Sequence, residues 1–311
     1  MTARKIRIGT RGSPLALIQA GLAAAALRKA AGSGRLAVEI VPIKTSGDRR
    51  PARALSEEGG KGLFTKEIED ALLAGAIDVA VHSAKDLPAA IPKGLALAAF
   101  LKREDARDAF VSQRFKRLRD LPPGATVGTS SLRRQAELLA RRPDLRIVPL
   151  RGNVGTRLAK IAKGSADATI LASAGLVRLK RDGAIAERLP VGTMLPAPGQ
   201  GAIALEARAS DRALGKLLAR IDHAPTRLCV SAERALVEAL GASCTMPLGG
   251  FAKISKGRLV LEAALFSPDG RVAIRVRRQG PRTKAAGIGR RAARELLKKA
   301  PRRLLKTFGL A

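Results

Sequence analysis

The sequence contains no Trp and no Tyr, so its seven Phe residues supply the only large aromatic rings among 311 residues. Proteins that bind single-stranded nucleic acid usually stack the bases on such rings, and their scarcity argues against that class of protein. The two cysteines, Cys229 and Cys244, are too few for a disulfide framework in a chain of this length. No CxxC or His-rich spacing typical of zinc sites is present, so we predict no metal.

Long apolar runs are also lacking. No stretch of eighteen residues is free of charged residues, Gly and Pro, and the first twelve residues are polar and basic. A membrane-spanning helix needs about 20 apolar residues, and a signal peptide needs an apolar centre. We therefore expect a cytoplasmic protein that does not contact a membrane. With 46% hydrophobic residues, the chain can form two or three compact domains.

Acidic residues are scarce as well. The sequence has 26 Asp and Glu against 58 Lys and Arg, which gives a net charge of +32. This charge attracts nucleic acid, an anionic membrane or an anionic substrate, and the charge alone does not choose among them. Most surface Lys and Arg residues serve only solvation. Only basic residues in unusual local settings therefore indicate a function.

The first two thirds of the chain alternate β-branched segments with Ala- and Leu-rich segments, which is typical of α/β domains with parallel sheets. The predicted strands are 5–10, 37–43, 78–82, 126–128, 146–150 and 168–172. A Gly- or Ser-containing turn and then a helix follow each strand, so we expect a site at the carboxyl ends of the strands.

After His223 the pattern changes to that of a separate α+β domain. It predicts a helix at 230–240, a loop, and a hairpin whose turn is Pro268-Asp269-Gly270. A terminal helix follows, and its apolar stripe consists of Ala285, Ile288, Ala292, Leu296 and Leu297.

Three strand-to-helix turns combine a helix N-cap with arginine. They are Arg11-Gly12-Ser13-Pro14, Thr129-Ser130-Ser131-Leu132-Arg133-Arg134 and Arg151-Gly152-Asn153-Val154-Gly155-Thr156-Arg157. The first turn of a helix attracts anions and disfavours cations, so a purely structural helix would carry acids there. A solvated arginine remains the alternative at any single turn. Because the arrangement occurs three times, it predicts a polycarboxylate or phosphate ligand, which arginine binds with two parallel hydrogen bonds.

Asp86 is the only acid in the segment that runs from Val81 to Pro88, which we expect to leave a strand as a loop above the sheet. An ionised Asp among cations can stabilise a developing positive charge or transfer a proton. The alternative is an Asp that caps a turn before proline. His82 is more simply interpreted as a hydrogen-bonded structural residue with a supporting role.

The segment Gly59-Gly60-Lys61-Gly62-Leu63-Phe64 lacks the spacing of a phosphate loop, so we predict no nucleotide binding there. Phe64 either stacks on a flat ligand or lies in the core. Cys229, between Leu228 and Val230, is predicted to pack as a small apolar residue. Cys244 lies in a loop of small residues, where it is either a reactive thiolate or a buried inert thiol.

Several motifs occur in one order along the chain. They are Arg11-Gly12-Ser13-Pro14-Leu15-Ala16-Leu17, Gly59-Gly60-Lys61-Gly62-Leu63-Phe64, His82-Ser83-Ala84-Lys85-Asp86, Gly128-Thr129-Ser130-Ser131-Leu132-Arg133-Arg134-Gln135, Arg151-Gly152-Asn153-Val154-Gly155-Thr156-Arg157, Leu195-Pro196-Ala197-Pro198-Gly199-Gln200-Gly201-Ala202 and Glu233-Arg234-Ala235. In this order they resemble the porphobilinogen deaminase family, and the resemblance extends from about residue 4 to the end of the chain.

The resemblance implies an α/β fold of two periplasmic-binding-protein-like α/β domains, with the active site between them, plus a smaller α+β C-terminal domain. The implied bounds are 1–101 with 199–219, 102–198, and 220–311, the last being the domain that carries the cofactor. It further implies a monomer whose substrate is porphobilinogen, with no specific nucleic acid as partner.

The resemblance also assigns roles to residues. It implies a dipyrromethane cofactor held by a thioether to Cys244, and Asp86 as the catalytic carboxylate. The residues that match binders of the acetate and propionate groups are Arg11, Ser13, Lys85, Thr129, Ser131, Arg133, Arg134, Arg151, Arg157 and Arg178. Supporting roles are expected for Asp48, Lys61, Phe64, His82 and Gln200.

The implied reaction begins with loss of ammonia from porphobilinogen, which gives a cationic azafulvene. The free α-carbon of the terminal pyrrole attacks this cation, and four rounds followed by water release hydroxymethylbilane. Two alternatives remain open: a two-lobed protein that binds an anion without catalysis, and a nucleic-acid binder that uses the basic terminal helix.

Overall fold

The computed structural model describes residues 5–32, 36–49, 65–242 and 246–310. The strands are β1 (Ile6–Arg11), β2 (Val38–Ile43), β3 (Val79–Ser83), β4 (Leu95–Phe100), β5 (Asp108–Val111), β6 (Thr126–Gly128), β7 (Arg146–Val148), β8 (Ala168–Ala172), β9 (Glu187–Arg188), β10 (Ile203–Arg208), β11 (Leu248–Ser255), β12 (Arg258–Phe266) and β13 (Ala273–Pro281). The helices are α1 (Pro14–Ala31), α2 (Ser46–Arg49), α3 (Lys66–Leu73), α4 (Leu132–Leu139), α5 (Val154–Ala162), α6 (Ser173–Arg178), α7 (Arg212–Ala219), α8 (Ala224–Ala239), α9 (Ala285–Lys299) and α10 (Arg302–Thr307).

The chain forms two compact units, one of Met1–Glu104 with Gly201–Arg227 and the other of Asp105–Gln200 with Leu228–Ala311. The first unit contains one sheet with the strand order β2-β1-β3-β10-β4. Strand β1 is parallel to β2 and β3, whereas β10 is antiparallel to β3 and β4. The sheet is covered by Ala20, Ala23, Ala24 and Leu27 of α1 and by Leu214 and Leu218 of α7.

The second unit contains two sheets. The five-stranded sheet has the order β7-β6-β8-β5-β9, in which β6 is parallel to β7 and β8. Its core includes Phe110, Val127, Leu138 and Ile170. The three-stranded antiparallel sheet β11-β12-β13 has its own core, to which α8 and α9 contribute.

The predicted class, two α/β sheets and a smaller α+β part, is confirmed by these sheets. Every predicted strand is present with ends within two residues of the prediction, and the hairpin of β12 and β13 turns at residues 268–270. Helix α8 begins at Ala224, earlier than the predicted 230, because His223 Nδ1 accepts a hydrogen bond from the Thr226 amide at 3.3 Å and caps the helix. The bounds of three separate domains stay a prediction.

In the described parts of the chain, no helix combines the length and the apolar character that crossing a membrane requires.

The contact between α8 and α9 depends on a glycine. A Cβ on Gly289 would collide with the carbonyl oxygen of Ala232 and lie 2.9 Å from the amide nitrogen of Leu236. Both neighbours are backbone atoms of a helix, which move only if the helix moves. By contrast, a Cβ on Gly287, two residues earlier in α9, would meet only the end of the Arg291 side chain at 3.6 Å.

We predict that Gly289→Ala lowers the free energy of unfolding by about 1–3 kcal/mol, because overpacking forces α9 away from α8. Gly287→Ala is the matched control and should stabilise the same helix by about 0.5–1 kcal/mol, because alanine favours helix. Urea unfolding followed by circular dichroism measures both. Equal stability of the two variants would contradict the close helix contact.

Candidate active site

The first unit brings two predicted motifs together at one edge of its sheet. Because β1 and β3 are parallel, their carboxyl ends lie side by side, and the chain continues there into Arg11–Ser13 and into Ser83–Asp86. One pocket at this edge is lined by Arg11, Ser13, Gln19, His82, Ser83 and Asp86. The site that the sequence predicts at strand ends is therefore present in this unit.

Local hydrogen bonds fix the start of α1 at this edge. Ser13 Oγ accepts from the Ala16 amide at 3.3 Å, which is the predicted N-cap, and Pro14 is the first helical residue. The Gln19 amide group of the same helix donates to Ser83 Oγ at 2.9 Å. The second turn of α1 is thus attached to the end of β3.

Asp86 ends a short 3₁₀ turn, Ala84–Asp86, that directly follows β3. The turn is anchored by the buried Ala84, whose amide donates to the Ala202 carbonyl at 3.0 Å. Asp86 itself is exposed, and its carboxylate forms no hydrogen bond or ion pair with any residue that the structure describes. Its negative charge is therefore available to a ligand in the pocket.

His82 lies within β3, inside the predicted strand 78–82, and pairs with Ala204 of β10. The ring is buried, and its Nε2 lies 3.1 Å from Oε2 of the buried Glu206. The interpretation of His82 as a hydrogen-bonded residue agrees with this contact.

In the second unit, three parallel strand ends also meet at one edge. Thr129–Ser131 follow β6, Arg151–Asn153 follow β7, and α6 follows β8. Ser131 Oγ accepts from the Arg134 amide at 3.4 Å and Asn153 Oδ1 from the Thr156 amide at 2.9 Å, so both predicted caps are present. Arg151 is half-buried, as is Arg178, the last residue of α6.

Arg133 and Arg134 are buried within this unit and have carboxylate partners of their own. Arg133 donates to Asp108 at 2.7 Å and to Glu137 at 3.0 Å, and Arg134 donates to the other oxygen of Asp108 at 2.7 Å and 3.1 Å. Gln200 also donates to Asp108, at 3.1 Å. Burial alone would raise the pKa of Asp108, but the charges of both arginines lower it to about 2. Asp108 and Glu137 thus supply the carboxylates that face both guanidinium groups, and Arg275 also lies 3.7 Å from Glu137.

Arg157 has no carboxylate partner among the residues that the structure describes. Burial and the charge of Arg134 lower the pKa of Arg157 to about 10, so the guanidinium is still charged at neutral pH. Its Nε is buried and has no hydrogen-bond partner among the residues described, and the same holds for the hydroxyls of Ser130 and Ser173. Buried donors without partners are rare in folded proteins. Donors of this kind at neighbouring strand ends fit a carboxylate-bearing ligand.

Three residues for which the sequence analysis predicts a role in the site lie outside the described parts of the chain: Lys61, Phe64 and Cys244. The backbone of Asp48 belongs to α2, and nothing is described of its side chain. Cys229 is buried in the core of the α+β part, as predicted for a small apolar residue.

Sequence reasoning missed four buried acids: Glu69, Asp108, Glu137 and Glu206. The sequence contained one indication of the role of Glu137, because Glu137 lies four residues after Arg133 on α4, and side chains at this spacing pair on a helix. Asp108 begins the otherwise apolar β5, and Glu206 is the single acid of β10, both of which are unusual settings for a buried charge. No local signal gives their partners, because these are distant in sequence.

The second unit contains a buried arginine cluster beside donors that no described residue binds, and the first unit contains a pocket with a carboxylate that no described residue binds. Groups of these two kinds are typical of an enzyme that acts on a polyanionic substrate. Two family models match the chain: "Porphobilinogen deaminase, dipyromethane cofactor binding domain" over residues 6–216 and "Porphobilinogen deaminase, C-terminal domain" over residues 227–298. The chain belongs to the porphobilinogen deaminase family. It is a transferase that deaminates four porphobilinogen molecules and joins them into hydroxymethylbilane on a dipyrromethane cofactor, in tetrapyrrole biosynthesis.

Solved structures with a similar fold include periplasmic proteins. The VFT2 domain of Bordetella pertussis BvgS is 19% identical with a TM-score of 0.41, over 71% of this chain and 86% of that one. The aliphatic sulphonate binding protein SsuA of Escherichia coli is 15% identical with a TM-score of 0.40, over 76% and 70%. An ABC transporter substrate-binding protein from Coxiella burnetii is 14% identical with a TM-score of 0.42, over 74% and 96%. The family assignment rests on the two family models.

We predict that Asp108→Asn lowers the free energy of unfolding at pH 7 by about 3–5 kcal/mol, because it leaves buried guanidinium charge uncompensated. The pKa of Asp108 is lowered from its ordinary value of 3.8 to about 2. Its ionised form therefore stabilises the fold above pH 4, and this contribution is lost as the pH falls toward 2. The variant should accordingly show a shallower loss of stability between pH 4 and pH 2.

The matched control is Asp144→Asn, which removes an exposed carboxylate that also binds one arginine, Arg142, at 2.7 and 2.8 Å. Solvent screens that pair, so little change is expected. Urea unfolding at several pH values measures both variants. Similar losses in the two variants would contradict the role of burial.

Proposed function

We propose that Asp86 is the catalytic carboxylate of this transferase and that the two strand-end clusters hold the acid side arms of substrate and cofactor. The single observation that carries the proposal is the exposed, unpartnered carboxylate of Asp86 in one pocket with Arg11 and Ser13. A carboxylate left without a counter-ion among the described residues is suited to a cation that arises during a reaction.

In the first unit, Arg11, Ser13 and Lys85 are the proposed binders of acetate and propionate groups. The positive charges of Arg11 and Lys85 would repel a cation forming near Asp86. The carboxylates of porphobilinogen offset those two charges, so that the charge of Asp86 acts on the reacting carbon. Binding of the acid side arms and catalysis are coupled in this way.

In the second unit, the proposed binders are Thr129, Ser131, Arg133, Arg134, Arg151, Arg157 and Arg178. Arg157 is the strongest candidate, because its charge has no carboxylate partner in the part of the chain that the structure describes. Arg134 binds Asp108 through Nε and Nη2, which leaves Nη1 for a ligand. Arg133 is held by Asp108, Glu137 and the Leu195 carbonyl, so its proposed role is to keep Arg134 and the helix start in place.

The donor set fits the cofactor that the family implies. Dipyrromethane carries acid side arms, and the unpaired donors of Ser130, Arg157 and Ser173 are suited to carboxylate oxygens. We propose Cys244 as its attachment point, since Cys229 is buried in the core. When bound, the cofactor supplies the pyrrole ring to which the first porphobilinogen is joined.

Asp86 performs two tasks in this proposal. In its protonated form it donates a proton to the leaving amine of porphobilinogen, so that ammonia departs with the electron pair of the broken C–N bond. As a carboxylate it then stabilises the cation left on the substrate. Its place at the end of a rigid 3₁₀ turn, anchored by Ala84, keeps the carboxylate position constant through four rounds.

The proposal also covers supporting residues, the domain division and the partners of the protein. Asp48, Lys61, Phe64, His82 and Gln200 are proposed to support the site, and the division into three domains follows the family resemblance. We also propose a cytoplasmic monomer that has no specific nucleic acid and no membrane as partner.

Asp86→Ala should reduce tetrapyrrole formation by about 10²–10⁴-fold, because both the proton donor and the stabilising charge are lost. The assay is incubation with porphobilinogen and detection of uroporphyrin I after spontaneous cyclisation and oxidation. Asp120→Ala is the control, because Asp120 is likewise an exposed Asp that ends a 3₁₀ turn. Near-normal turnover of Asp86→Ala, with circular dichroism unchanged, would refute the assignment.

Cys244→Ala should lack the extra mass of a dipyrromethane that the parent protein carries, whereas Cys229→Ala should keep it. The reason is that a thioether requires an accessible thiolate, and Cys229 is packed in the core. Intact-mass spectrometry of the purified variants measures the difference. Loss of the mass from Cys229→Ala alone would move the attachment to that residue.

A further inference from the structure

The segment after Gly270 has an unusual excess of positive charge. Of the 58 Lys and Arg and the 26 Asp and Glu residues of the chain, fourteen of the first kind but only Glu295 of the second lie in this segment. The surface of a soluble protein normally mixes charges of both signs. Glu295 forms ion pairs with Arg278 and Lys299, so it is not available to the other cations of the segment.

Helix α9 arranges three of these cations in a row. Its inner side, which contains Ile288 and Leu296, lies in the core of the α+β part. Arg290, Arg294 and Lys298 are exposed and follow one another at intervals of four residues, so they lie above each other along the helix. A rise of 1.5 Å per residue spreads the three over about 12 Å. These three residues are the α9 row.

The charges of the α9 row are not neutralised within the part of the chain that the structure describes, where none of the three forms an ion pair or a hydrogen bond. Arg291, the neighbour of Arg290, lies across β13, because its Nη2 is 3.5 Å from the position that a Cβ of Gly280 would take. Arg278 of the same strand reaches Glu295 of α9. Positive charge therefore extends from the α9 row to β13, which is an edge strand of its sheet.

The surroundings of the α9 row indicate the kind of partner that it fits. Among the described residues, the large apolar side chains that are exposed all belong to the first unit: Leu17, Ile18, Leu22 and Leu73. A membrane-binding helix inserts apolar side chains, and a protein–protein interface has an apolar core. Interfaces with nucleic acid are instead polar and strongly positive. The α9 row therefore fits the phosphate groups of a nucleic acid.

The scarcity of aromatic rings favours a duplex over a single strand. Phe308 is the only aromatic residue after Gly270, whereas proteins that bind single strands stack the bases on such rings. A duplex carries about one negative charge per 1.7 Å of its axis, so a row of about 12 Å can meet several phosphates. Contacts to phosphates alone carry no sequence information.

We propose that the α9 row, with Arg291 beside it, binds the phosphate backbone of duplex nucleic acid without sequence preference. Each guanidinium or ammonium group releases a counterion that is condensed on the duplex, and the gain in free energy falls as the salt concentration rises. The residues of the proposed active site take no part in this contact. The binding is additional to the enzymatic function, and it agrees with the proposal that no specific nucleic acid is a partner.

The test is a titration of the full-length protein into a fluorescent DNA duplex, or an RNA duplex of the same sequence, followed by anisotropy between about 50 and 200 mM salt. Binding of either duplex supports the proposal. The triple variant Arg290→Gln, Arg294→Gln, Lys298→Gln removes the row and keeps α9, because glutamine favours helix. Each phosphate contact contributes about 0.9 to the slope of log affinity against log salt. The slope should therefore lose about 2.7 of its magnitude, and affinity at about 50 mM salt should fall about tenfold or more.

The matched control is the triple variant Arg212→Gln, Lys216→Gln, Arg220→Gln. These cations of the first unit are also exposed and also follow one another at intervals of four residues, along α7 and its C-cap. The control removes the same amount of positive charge from the chain. It should stay within about twofold of the parent affinity, because charges farther than a Debye length from the duplex are screened. Both variants should keep the circular dichroism and the porphobilinogen turnover of the parent.

A parent slope with a magnitude below about 2.7 would overturn the inference, because three contacts require at least that value, and this readout needs no variant. An equal loss of affinity in the control would also overturn it, since net charge would then be responsible. Tighter binding of vesicles that contain anionic lipid than of the duplex, at the same salt concentration, would assign the row to a membrane instead. A strong preference for one of two unrelated duplex sequences would contradict recognition of the backbone. These binding results do not depend on turnover, so they are distinct from the outcome for the proposed function.

Discussion

Asp108 accepts hydrogen bonds from Arg133 and Arg134 at a place that water does not reach. Removing two guanidinium groups from water is costly unless opposite charge comes with them. Asp108 and Glu137 provide that charge, and the cluster fixes the first turn of α4 against β5. The donors that remain at the same edge of the sheet, above all Arg157, are those that no described residue binds.

In the first unit, the charge without a described partner is negative. There the pocket at the strand ends contains an exposed carboxylate, Asp86, whose charge no described residue neutralises. Among the described residues, Arg157 of one unit and Asp86 of the other each carry a charge without a partner. Under the proposed function, acid side arms suit the first kind of group and a reacting carbon that becomes cationic suits the second.

Parallel strands explain why these groups can be assembled from distant segments. The carboxyl ends of neighbouring parallel strands lie on one edge, so each strand-to-helix turn adds its side chains to the same place. The caps by Ser13, Ser131 and Asn153 hold these turns with hydrogen bonds to amides three residues ahead. The positions of the arginines that follow are therefore set by rigid helix starts.

Much of the fold follows from local sequence. The alternation of apolar residues predicts each parallel strand to within two residues, and the caps are correct because a cap acts over only three residues. Ser83 shows the limit of such reasoning, since only its pairing with Ile203 of β10 extends β3 beyond the predicted strand. The ordered motifs from Arg11 to Ala235 likewise predict the family that the two family models show.

The sequence by itself determined the strands, the helix caps and the family, because each depends on residues close together or in a fixed order. Only the tertiary structure decided which charges are neutralised. Asp108 is 25 residues from Arg133 and Glu206 is 124 residues from His82. Those pairs exist because the order of strands in each sheet makes distant segments neighbours, and burial then requires opposite charges to meet.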